Sequence, residues 1–173
     1  MNSAEQLVEK IKERVRKTAE DLVERAITSN KEWTKACLCS MVELGVSEHF
    51  DVSPNPITKQ AEWLYDMIWC KAEEKEGAWR MIDVVLALES EWSRYLSEIR
   101  YDFQKLIQAK ARIKVLISDC ISEDDRKSLI TDIECFEQGN MDEIYLFAEY
   151  NHEKKSFDFK TYTEKDGLKR CEG

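Results

Sequence analysis

The sequence predicts an α/β domain: a mixed β-sheet flanked by helices, with helices at its N-terminal end and a β-hairpin at its C-terminal end. Three observations lead there. Residues 81–88 form an apolar run that ends in Glu89-Ser90-Glu91-Trp92. A helix-periodic stretch follows around Asp102-Phe103-Gln104-Lys105-Leu106, and a second apolar run occupies residues 112–118. Two strands joined through a helix are expected to lie parallel, because a parallel pair needs a long crossover.

Taken in order, residues 4–27 carry Leu7, Ile11, Val15, Leu22 and Ala26 at helical spacing among charges, which predicts an amphipathic helix. Asn30 is placed to cap a second helix over 31–44, with Trp33, Cys37, Met41 and Leu44 on one face and Gly45 as its stop. Residues 49–52 read as a short strand before a turn at Pro54 and Pro56. Residues 62–71 alternate, with Trp63, Tyr65, Met67 and Trp69 on one face and Leu64, Asp66 and Ile68 on the other. They predict an aromatic-rich strand, and 71–77 a polar turn into the central strand. The resulting antiparallel hairpin brings Asp66 near Glu89 or near Asp83, according to register.

Residues 93–110 predict a helix that packs through Leu96, Ile99, Phe103, Leu106 and Ile107, with Glu98, Asp102 and Lys105 on an adjoining stripe. After the strand 112–118, Ser122 is expected to start another helix, with Asp125 at the capping-box position and Gly139 past its end. Residues 143–150 and 156–163 predict a hairpin around 151–155. The chain thus divides into N-terminal helices (1–46), a core (47–118) and an acidic helix with a hairpin (119–173), within a single domain.

At 173 residues, 43% of them apolar and 35% charged, the chain can bury a full core. No long apolar run predicts a membrane span, and residues 1–5 lack the apolar core of a signal peptide, so a cytoplasmic protein is expected. The six cysteines show only one close pair, Cys37-Leu38-Cys39, and are expected to be reduced thiols rather than zinc ligands. The net charge of −9 is uneven: residues 119–148 hold nine acids against Arg126 and Lys127, −7 in that segment and −2 elsewhere.

Glu89 and Glu91, two apart in a strand, project from the same face. Carboxylates at a buried strand's outlet call for a cation. With only His49 and His152 as histidines, each read as solvated, that cation is expected to be a hard, oxygen-loving one, Mg2+ or Mn2+. Five glycines form no phosphate loop, and no serine stands in a nucleophile-elbow context, so metal-assisted hydrolysis is the chemistry expected.

An acid on one hairpin strand (Asp66), an acidic outlet on the next (Glu89-Ser90-Glu91), then a helix and a parallel strand, resembles the core of the PD-(D/E)xK nuclease superfamily. The resemblance covers roughly residues 30–118. It implies a restriction-endonuclease-like core, magnesium-dependent cleavage of the phosphodiester bonds of DNA, and Asp66, Glu89 and Glu91 as metal ligands and catalytic residues. The family's lysine position holds Glu91, a departure that removes the positive charge beside the attacking water. The resemblance assigns that cation to Lys105 on the following helix. It leaves the family's occasional helical glutamate open among Glu24, Glu32 and Glu43.

A second expectation comes from the charge distribution: a catalytically inactive nuclease-like fold that binds a basic protein partner through its acidic surface, with Asp124 and Asp125 in the contact. A homodimer joined through sheet edges is a third arrangement that the sequence accommodates.

Overall fold

A computed structural model describes residues 3–54, 64–136 and 142–163. Among the described residues ten elements follow one another: α1 (Ala4–Glu24), α2 (Asn30–Ser47), β1 (Asp51–Ser53), β2 (Met67–Lys75), β3 (Ala78–Glu91), α3 (Leu96–Gln108), β4 (Ala111–Asp119), α4 (Glu123–Glu134), β5 (Ile144–Asn151) and β6 (Ser156–Tyr162). The six strands form one open sheet in the order β1-β2-β3-β4-β5-β6. β3 pairs β4 in parallel, β4 pairs β5 in parallel, and the other neighbours are antiparallel. This is the mixed, helix-flanked α/β sheet expected.

Each face of the sheet buries its own helix pair. Leu7, Ile11, Val15, Ala19 and Leu22 of α1 and Trp33, Cys37 and Met41 of α2 pack on Trp69, Leu88, Val115, Ile117 and Leu146. Ile99, Phe103 and Leu106 of α3 and Leu129 and Ile133 of α4 pack on Ala87, Leu116, Tyr145 and Phe147. The central strands are therefore covered on both sides, which is why β4 and β5 read as nearly unbroken buried runs. The parallel pairing of β4 with β5 goes beyond the hairpin that residues 143–150 predict.

Several boundaries differ from expectation, each for a local reason. The first helix ends at Glu24, not 27. Ala26 adopts a left-handed φ of 54°, and Ile27 N–H returns to Leu22 O, which turns the chain and leaves Ala26 exposed. The N-cap of α2 is Ser29, and Asn30 is its first residue. β2 starts at Met67 and runs on through 71–75, so the polar stretch read as a turn is mostly strand, with the reversal at Glu76-Gly77. Leu64, Tyr65 and Asp66 precede the strand. Glu62, Trp63, Pro56 and Gly139 lie outside the described residues. Trp69 is fully buried, and Trp92 is packed in the core beside Trp33.

Gly45 does not stop α2, which continues to Ser47. Its lack of a side chain serves packing instead. A Cβ there would meet Val52 Cγ2 at 2.6 Å and the Trp69 indole at 2.7 Å. Gly45→Ala is therefore expected to destabilise the fold by about 1–3 kcal/mol, the usual cost of overpacking a dense interior. A lower midpoint in urea denaturation checks this; an unchanged midpoint would show that Trp69 can move aside freely.

Candidate functional site

The hairpin register settles where Asp66 goes. Met67 pairs with Leu88, so the residue before β2 lies level with Glu89, not with Asp83. Asp66 Oδ2 accepts a hydrogen bond from Ser90 N–H at 2.8 Å. Asp66 is thereby tied to the backbone between the two glutamates.

Side-chain alternation does the rest. Ala87 belongs to the α3 face, so Glu89 and Glu91 project on that face too. Ser90 points the other way, where its hydroxyl accepts from Trp92 Nε1 at 3.0 Å and lies 3.5 Å from Thr34 Oγ1. The packing face of α3 holds the helix down, and its polar stripe hangs over the strand end. Lys105 Nζ lies 2.8 Å from Glu89 Oε1 and 2.7 Å from Asp102 Oδ1. Glu91 Oε1 accepts from Ser93 N–H at 2.6 Å. All four predicted residues, Asp66, Glu89, Glu91 and Lys105, thus stand at the carboxyl end of β3. Asp102 joins them. It was visible as the acid three residues before Lys105 on the stripe, but had not been given a role.

The electrostatics are those of a crowded carboxylate site. Glu89 is only 1% exposed, and burial pushes its carboxyl up to about 8, helped by Asp66 and opposed by Lys105. Burial also raises Glu91, opposed by the Ser93 N–H and helped by the neighbouring Asp102. Burial works against the Lys105 ammonium, yet Asp102 and Glu89 outweigh it and hold its pKa above the ordinary lysine value. The Tyr65 phenol is raised by burial and by Glu89.

These shifts fix the sign of a pH effect. A carboxyl whose folded pKa exceeds its unfolded one favours the folded state at low pH, and that contribution is lost as pH rises through about 8. Glu89→Gln is therefore expected to raise the melting temperature at pH 8 and above relative to the parent, with the gain vanishing near pH 4. Melting curves across that range check it; a variant less stable than the parent at pH 9 would contradict it.

The donors suit a hard cation: carboxylate oxygens only, with Glu89 Oε1 buried and making no well-aligned hydrogen bond. Asp66 and Glu89 would hold the ion, with Glu91 next to them. The ligands are not preset, since among the described residues no three acid, histidine or cysteine side chains already form a cation cage.

A second pairing on the same sheet provides contrast. Glu149 of β5, 3% exposed, receives both Arg126 Nε at 2.6 Å and Arg126 Nη2 at 2.7 Å from α4. That pair is sealed, whereas Lys105 keeps 34% of its side chain exposed and faces several acids. His152 keeps most of its side chain in solvent, as expected, and its Nε2 also lies 2.6 Å from Asp119 Oδ1. Compared with family models, curated proteins and solved structures, the chain matches none, so its chemistry rests on its own residues. Among the described residues no helix is long and apolar enough to cross a membrane.

Proposed function

We propose that this chain is a divergent PD-(D/E)xK-like protein that hydrolyses phosphodiester bonds of DNA with Mg2+ or Mn2+ at the carboxyl end of β3. The observation that carries the reading is the position of Lys105. The strand position where the resemblance expects a lysine holds Glu91, and α3 delivers an ammonium to within 2.8 Å of Glu89 instead. The charge missing from the strand is restored from the helix.

The roles follow from the geometry. Asp66 and Glu89 would hold the cation, which when bound would lower the pKa of a water and screen the phosphate. Lys105, partly exposed and held by Asp102, offers a fixed positive charge to the negative charge that develops on the attacked phosphate. Glu91 stands beside them, and burial raises its carboxyl toward the protonated form that a proton donor to the leaving oxygen needs.

The acidic-surface reading draws less support. Asp119 meets Arg94 and His152, Asp132 meets Arg100, and Glu143 meets Lys114, so much of the segment's charge is answered within the chain.

Calorimetric titration of Mn2+ into the parent and Glu89→Gln, followed by incubation with supercoiled DNA, tests the proposal. Binding that Glu89→Gln abolishes, with nicking that needs the metal, is the expected outcome. A parent protein that takes up no Mn2+ sinks it.

A further inference from the structure

The carboxyl ends of β3, β4 and β5 lie side by side, since Glu91 pairs with Ser118 and Ser118 with Glu149. In open α/β sheets this is the edge where ligands bind. The acids of the candidate site occupy the α3 side of that edge. A different set occupies the other side. Ile117 packs against the α1/α2 layer, so Asp119, two residues on, opens to that side at the end of β4.

Asp119 is mostly buried, at 13% exposure, yet two well-exposed side chains, a guanidinium and an imidazole, converge on it. His152, from the β5–β6 turn, lies 2.6 Å from Oδ1, and Arg94, from the loop between β3 and α3, lies 3.6 Å from Oδ2. Arg94 keeps 83% of its side chain in solvent and His152 60%. One mostly buried carboxylate thus orients a guanidinium and an imidazole outward over the strand ends. The loop that supplies Arg94 starts from Glu91, so it bridges the two sides of the edge.

The next residue is Tyr95, 73% exposed, and Tyr101 on α3 is 69% exposed with its ring 5.9 Å from Lys105 Nζ. Large aromatic rings held in solvent beside cations are the elements with which proteins hold unpaired nucleic-acid strands: rings stack on splayed bases, and cations meet the phosphates. A duplex keeps its bases stacked on one another and offers these rings nothing. The overall charge also bears on the choice. At −9 the chain has no broad basic field with which to hold a duplex, so binding must come from a few local cations and from stacking, which is insensitive to net charge.

We infer that Arg94, Tyr95 and His152 form a grip for single-stranded DNA that continues over the strand ends into the carboxylate site, with Tyr101 as a further stacking ring beside Lys105. This rests on the nuclease reading and names its substrate class. Arg94 and His152 hold successive phosphates, and Tyr95 holds the base between them.

Fluorescence anisotropy of a labelled oligonucleotide of about 12 nucleotides, single-stranded or as a duplex, tests the inference with the full chain in calcium. The single strand is expected to bind at least about tenfold more tightly than the duplex. Tyr95→Ala should weaken it about tenfold, one unit of stacking. Tyr95→Phe, which keeps the ring, should retain binding. Arg94→Ala should reduce the slope of log affinity against log salt by about 1. These side chains are at the surface, so circular dichroism should show each variant folded. Equal affinity for strand and duplex, or an unaltered Tyr95→Ala, overturns the inference. A parent that takes up Mn2+ through Glu89 but binds no strand overturns the inference alone. A parent that binds neither Mn2+ nor DNA overturns the functional reading with it.

Discussion

Arg126→Ala is expected to lower the unfolding free energy by about 3–5 kcal/mol, the cost of leaving one buried charge without its partner. The guanidinium donates to both oxygens of Glu149, to Ile121 O at 3.3 Å and to Glu123. Glu149 lies within β5 under α4, where water cannot replace those bonds. The pair itself contributes far less than its rupture costs, because taking both charges out of water offsets most of their attraction. The double variant Arg126→Met with Glu149→Leu is therefore expected to recover most of the loss. Urea unfolding of the parent, both single variants and the double variant measures this as a cycle. If the double variant were as unstable as Arg126→Ala, the loss would belong to packing rather than to charge.

Lys105→Ala carries the largest expected effect on activity. It should slow metal-dependent DNA cleavage by about 10²–10³, the range for removing one preorganised group that stabilises transition-state charge. A second consequence has a definite sign. Lys105 lowers the Glu89 pKa, so its loss moves that pKa above the present value of about 8. Metal uptake requires the carboxylate, and so the midpoint of Mn2+ binding against pH should shift upward. Lys105→Arg, which keeps the charge, should hold that midpoint near the parent's. Single-turnover cleavage and Mn2+ titrations between pH 6 and 9 separate the two effects. Cleavage by Lys105→Ala at the parent rate would remove Lys105 from the chemistry.

How far the site could be read without coordinates depends on which residues are neighbours along one element. Glu89 and Glu91 share a face because a strand repeats every two residues, and Asp102 and Lys105 because a helix brings residues three apart together. Both pairs were visible in the sequence. Their meeting was not: Lys105 reaches Glu89 across sixteen residues only because Ile99, Phe103 and Leu106 seat α3 on Ala87 and Leu116. Asp119 and His152 are further apart still, on β4 and in the β5–β6 turn, and no local pattern links them.

By itself, then, the sequence determined the class of fold, most helix and strand faces (Ala26, exposed, and Tyr65, packed with Ile68 rather than with Met67 and Trp69, depart from them), the parallel pairing of β3 with β4, and the acidic outlet at Glu89. The faces follow from apolar periodicity, the parallel pairing from the helix that joins the two strands, and the outlet from the acids where the apolar run ends, all of them read along consecutive stretches of chain. Only the tertiary structure decided that Asp66 stands level with Glu89, that β5 joins the sheet in parallel, and that Gly45 makes room for Trp69. The hairpin register illustrates the reason. A shift of one residue would exchange the two faces of β2, and the choice is made by how Met67 and Trp69 fill the α1/α2 core while Ile68 fills the other. Such choices depend on many distant side chains fitting at once.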